Sequence, residues 1–87
     1  MNRVHVVIDD CGDWMGIYIN GQLVSQDHET QFTAQRLLYV LQTGLNNGDR
    51  SVKHCPEFDF VISYMGFGHD GLCPDLESQL DGGSDEV

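Results

Sequence analysis

The chain has 87 residues, 14 acids against four bases and a formal charge of −10. One small domain is the most that this length supports, and 24 residues are Leu, Ile, Val or Phe, too many for a disordered polyacid. No apolar run approaches the ~20 residues of a membrane span, and the negative charge speaks against duplex DNA or an anionic membrane as a direct partner.

Arg3 to Asp9 alternates Val4, Val6 and Ile8 against His5, Val7 and Asp9, the pattern of a strand with one dry face. A turn at Asp9-Asp10-Cys11-Gly12-Asp13 leads to a second strand, Trp14 to Ile19. Asn20-Gly21 suits the two positive-φ positions of a type I′ turn, so Ile19 should face Gln22 in a tight hairpin. That register predicts Met15, Ile17, Ile19 and Val24 on one face and Trp14, Gly16, Tyr18 and Leu23 on the other.

A helix is predicted from about Thr33 to Leu45, capped by Thr30 or Thr33 and stopped at Asn47-Gly48. Ala34, Leu37, Leu38, Leu41 and Leu45 form its apolar stripe, and the outer side carries Gln35, Arg36, Tyr39 and Thr43. After a loop holding His54-Cys55-Pro56, Phe58 to Met65 reads as the last strand, with Phe58, Phe60, Ile62 and Tyr64 on one side. Pro74 opens a short acidic helix whose apolar edge is Leu72, Leu76 and Leu80. The fold class expected is α+β: a single domain over residues 1–80, ordered β-β-β-α-β with a short acidic C-terminal helix, and a flexible acidic tail over 81–87. The main helix should pack on one face of a mostly antiparallel sheet, and a right-handed crossover would set the last strand parallel to a neighbour.

The charge is uneven. Residues 1–53 carry six acids and all four bases; residues 54–87 carry eight acids and no base. This asymmetry points to an acidic arm or face built from Glu57, Asp59, Asp70, Asp75, Glu77 and Asp81. Arg36 and Tyr39 form a smaller candidate surface on the helix. Trp14, Tyr18 and Leu23, with Val7 and His5, make an apolar-aromatic patch opposite the helix. Either Leu72, Leu76 and Leu80 fold over that patch or a partner does, a second copy included.

Motifs for chemistry are weak. Gly66-x-Gly68-x-x-Gly71 has the letters of a dinucleotide fingerprint, yet Asp70, Asp75 and Glu77 would oppose a pyrophosphate, so a glycine-rich turn is the better reading. His54, Cys55, His69 and Cys73 are zinc-competent but lack the spacing of a recognised knuckle. Cys55 beside His54 makes no nucleophile site, because adjacent residues of an extended segment point apart. No enzyme, no cofactor and no metal is expected. The opening Met1-Asn2-Arg3-Val4-His5 lacks the form of a secretory signal, and three cysteines, an odd number, read as free thiols in a reducing cytoplasm.

In size, charge, compact α+β pattern and lack of a catalytic constellation, the chain resembles the small acidic inhibitor proteins of phages, a viral class that includes anti-CRISPR proteins and DNA mimics. The resemblance implies a non-enzymatic inhibitor that blocks a basic groove on a nucleic-acid-handling protein. It departs from DNA mimics that align carboxylates on a helix, because the main helix here has no acid. The β-β-β-α-β order is also similar to HicB-type antitoxins, which implies an antitoxin-like partner protein as an alternative, beside a zinc-stabilised interaction domain.

Overall fold

The computed structural model describes residues 2–10, 13–49, 51, 54, 56–67 and 71–83, with backbone alone over 81–83. Three strands open the chain, β1 (Asn2–Asp9), β2 (Trp14–Ile19) and β3 (Gln22–His28). A single 3-10 turn at Glu29–Gln31 leads to α1 (Ala34–Leu45), then β4 (Phe58–Met65) and α2 (Leu76–Gly83). The strands form one mixed sheet in the order β3-β2-β1-β4. The first two pairings are antiparallel, and β4 runs parallel to β1 from Asn2↔Phe58 to Asp9↔Met65. The fold is thus α+β in one unit. Among the described residues no helix is long and apolar enough to cross a membrane.

Local signals fix most boundaries. Asn20 (φ 52°) and Gly21 (φ 87°) both occupy the left-handed region, and Ile19 faces Gln22. The Asn20 side chain also clasps β1, accepting from the Arg3 amide (2.9 Å) and donating to Asn2 Oδ1 (3.0 Å). Thr33 caps α1 by accepting from the Arg36 amide at 3.2 Å. The helix ends in a left-handed pair, Asn47 (φ 56°) and Gly48 (φ 84°), with the Gly48 amide donating to Thr43 O.

The hairpin register departs from the alternation expected beyond Leu23. Tyr18 faces Leu23, but Ile17 faces Ser25, so Val24 is skipped and bulges outward, 44% exposed, instead of joining Ile17 on the α1 face. The slip has a clear cause on α1. It turns Ser25 and Asp27 toward the helix, where Arg36 donates to both (3.4 and 3.0 Å) and lies over the Phe32 ring at 4.4 Å.

Two cores sandwich the sheet. On the α1 face, Val4, Val6, Met15, Ile17 and Ile19 pack with Phe32 and Leu45, backed by Leu37, Val40 and Leu41. On the opposite face, Val7, Tyr18 and Phe67 pack with Trp14, Leu23, Met65, Leu72 and Leu76. β1 is therefore dry on both sides, with Val4 and Val7 fully buried. The segment before α2 is the second cover. Gly16 makes room for it, since any side chain there would collide with Leu72 Cδ1. Leu72 precedes α2 instead of lying within it, and the helix continues through Gly83, past the expected domain end at residue 80.

Candidate functional site

The acids of the C-terminal third were expected to form one face. Glu57 is exposed at the entry to β4, where its carbonyl accepts from Asn2 Nδ2. Asp59 pairs with Arg3 at 3.5 Å, both largely exposed. Asp75 caps α2: its carboxylate accepts from the Ser78 amide (3.1 Å) and hydroxyl (3.3 Å). Glu77 is exposed in the first turn of the same helix. Asp70 lies outside the described residues, and for Asp81 only the helical backbone is described.

Topology gathers these groups at one end of the sheet. Arg3 lies in register with Asp59 on β4 and exchanges a backbone bond with Asn20, while Gln22 bridges to Asp75 and the Leu76 amide donates to Gly21 O. Glu57, Asp59, Asp75 and Glu77 thus rim the Asn20-Gly21 end. Asp9, Asp10, Asp13 and Glu29 sit at the other end of the strands, about 20 Å away at ~3.3 Å per residue. The rim is not a compact cluster: Asp59 belongs to the outer strand β4, and Asp75 lies beyond the opposite edge, bridged to β3, four strand spacings or ~19 Å away.

Cations are scarce on this surface. Among the described residues both arginines are paired, Arg3 with Asp59 and Arg36 with Asp27. The Arg36 hydrogen bond, with the His28 amide, holds the Asp27 carboxyl below the usual carboxylate range. Arg36 is thereby committed to the fold rather than presented outward. Tyr39 on the next turn is half exposed.

The apolar-aromatic patch is corrected in kind. Tyr18 was expected on a partner surface, but none of it is exposed, and its hydroxyl donates to Cys73 O at 2.5 Å. Burial, with the charges of Cys73 and Asp75 adding, pushes that hydroxyl up to about 12. Trp14 is half buried, donates through Nε1 to Gln26 Oε1 at 2.9 Å and meets the His28 ring edge-on at 4.9 Å. The chain's own Leu72 and Leu76 cover this face, so a homodimer cannot form through it without displacing them.

Gln79 is the residue that sequence reasoning missed. It is 5% exposed inside an acidic tail segment, accepts from the Cys73 amide at 2.7 Å and donates to Met65 Sδ at 3.7 Å. It ties the segment before α2 to the end of β4. The only sequence signal was its place between Leu76 and Leu80 on a short amphipathic turn.

The remaining chemistry is sparse. His5 Nε2 lies 2.7 Å from Ser63 Oγ on the face covered by α2. Burial, then the nearby Arg3 charge, lowers the His5 pKa, so the ring is neutral and well matched to a hydroxyl. No described carboxylate is bonded to its other nitrogen, as a catalytic triad would need, so the pair reads as a satisfied interior contact between β1 and β4. Of the zinc-competent residues, His54 is exposed and Cys73 is half buried; Cys55 and His69 lie outside the described residues, as do Gly68 and Asp70 of the glycine-rich turn. Among the described residues no three His, Cys, Asp or Glu side chains converge. Comparison of the chain with protein-family models, curated proteins and solved structures finds no match.

Proposed function

We propose that the protein is a non-enzymatic acidic binding protein that occupies a basic groove of a nucleic-acid-handling protein and blocks it, as a phage anti-defence inhibitor would. The observation that supports this reading is the rim at the Asn20-Gly21 end: four acids from the base-free third of the sequence line that end of the sheet, and the one described cation beside them, Arg3, is already paired. A basic groove meeting that rim gains complementary charge, which raises the association rate and makes binding salt-sensitive.

The test uses the partner isolated on immobilised protein from the host cell, titrated at low and high salt. Replacing Glu57, Asp59, Asp75 and Glu77 together by their amides weakens binding about tenfold or more at low salt, with a smaller loss where the Debye length shrinks to ~3 Å at 1 M. Asp75→Asn keeps a capping oxygen, so folding survives. The same change at Asp9, Asp10 and Asp13 has the smaller effect, because those groups lie at the opposite end. Equal losses from the two sets, or dominance by Arg36 and Tyr39, sink the acidic-rim mechanism.

The β-β-β-α-β run that precedes α2 favours one second reading, an antitoxin-like protein whose partner is a toxin. The isolated partner separates the two: in the inhibitor reading it loses nucleic-acid binding when the protein is added.

A further inference from the structure

The bare part of the sheet is β4, on the α1 face. Phe60, Ile62 and Tyr64 are 55%, 48% and 67% exposed, whereas their register neighbours Val4 and Val6 on β1 are buried. A helix is ~10–12 Å across and covers about two strands at ~4.8 Å spacing. α1 is drawn toward the β3 side by the bonds from Arg36 to Asp27 and Ser25, so the opposite flank is left open. Leu38, on α1, is 68% exposed although its spacing placed it in the apolar stripe. Among the described residues, no strand pairs with the outer edge of β4.

We propose that β4 pairs with β4 of a second copy, antiparallel about a two-fold axis at Ile62, to join the two sheets. The sequence of β4 is self-complementary in that register. Ile62 faces Ile62 of the second copy, Phe60 faces Tyr64, Val61 faces Ser63, and the one acid of the strand, Asp59, faces Met65. No acid meets an acid across the seam, and on the α1 face the two exposed triads merge into one apolar strip of cross-strand pairs. An exposed edge of eight residues without Lys, Pro or a bulge lacks the usual devices that prevent such pairing.

The area sets the strength. At ~150–250 Å² per aromatic side chain, the exposures of Phe60 and Tyr64 leave roughly 250 Å² of ring surface per copy. Ile62 and the backbone edge add to this, and the seam stays below the ~800 Å² per partner of a standard interface. The dimer is therefore weak and concentration-dependent. Because each copy carries −10, added salt strengthens it. This sign is opposite to that of binding to a basic partner, so this pairing and the proposed function stand or fall separately.

Sedimentation velocity of the full chain, over a range of concentrations at low and high salt, reads the equilibrium. The expected result is a dimer favoured by both concentration and salt. Phe60→Lys and Tyr64→Glu each weaken it at least tenfold, and the double variant recovers, because position 60 of one copy faces position 64 of the other. Both sites are at least half exposed, so each variant should melt as the parent does. A chain monomeric throughout, single variants that dimerise like the parent, or a double variant without recovery overturns the proposal. So does a monomer whose capture of an isolated basic partner is lost on Ile62→Lys, since the strip then serves another chain.

Discussion

The two edges of the sheet are treated in opposite ways. β3 carries Gln22, Ser25, Gln26, Asp27 and His28, is bent by the Val24 bulge, and has its first residues bridged by the chain itself: Gln22 to Asp75, and the Leu23 amide to Pro74 O at 2.9 Å. β4 carries one acid among eight residues, keeps an unbroken register with β1, and presents alternate apolar side chains half in solvent. One edge is finished within the molecule; the other has the chemistry of a surface that expects company. The lesson is that exposure of apolar residues in this small domain is set by where its two covers fall, not by how apolar each strand is.

Breaking the finished side should cost most. Deleting residues 71–87 uncovers Val7, Tyr18 and Trp14, and the expected outcome is loss of cooperative unfolding with strong binding of an apolar dye. A truncated chain that melts like the parent would show that this face needs no cover. Next in size, Leu72→Ala removes the packed isopropyl group set beside Gly16 and should cost about 2 kcal/mol in denaturant unfolding, whereas Phe60→Ala on the open strand should stay within ~0.5 kcal/mol. Equal costs would erase the contrast between the edges. Gly21→Val should cost more than ~1 kcal/mol, because φ of 87° strains a β-branched residue and the same Gly21 carbonyl anchors the Leu76 amide.

The last effect is a pH dependence of the covered face. Tyr18 titrates near 10 when unfolded and about 12 when folded, so the folded chain holds the proton that the unfolded chain releases. Its contribution to stability is full below pH 10 and is lost as pH rises through about 12. Tyr18→Phe should flatten that alkaline limb in melts across the window. His5 acts on the acid side: its folded pKa lies below 6.5, so stability declines as pH falls from that value through the folded pKa, and His5→Gln should remove the decline.

What was legible in the sequence was local. Asn20-Gly21 dictates its own backbone, Thr33 announces the start of α1 within a residue, and β4 runs from Phe58 to Met65 as its alternation predicts. Features decided by distant partners were not legible. Val24 leaves its expected face because Arg36, on another element, draws Ser25 and Asp27 inward. Leu38 has the spacing of a core residue, yet exposure follows from the position of α1 over the sheet. Tyr18 looked like a surface aromatic until Cys73 and Leu72 were brought across it. For the acids, the charge asymmetry singles out the C-terminal third of the chain, but Asp75 serves first as a cap, a role signalled by the hydroxyl of Ser78 three residues on.

β1 sits between β2 and β4, and this placement has a consequence for synthesis. Its antiparallel neighbour follows after one short turn, but its parallel neighbour emerges only after β3, α1 and the loop beyond them. At ~5–20 residues per second, a ribosome leaves that side of β1 unpaired for seconds. During the delay Val4-His5-Val6-Val7-Ile8 is a nearly continuous apolar ribbon with free amides and carbonyls. Residues 1–53 add little repulsion to protect it, because together they carry a net charge of only −2. The eight acids of residues 54–87 are translated together with the strand that closes the ribbon, or after it.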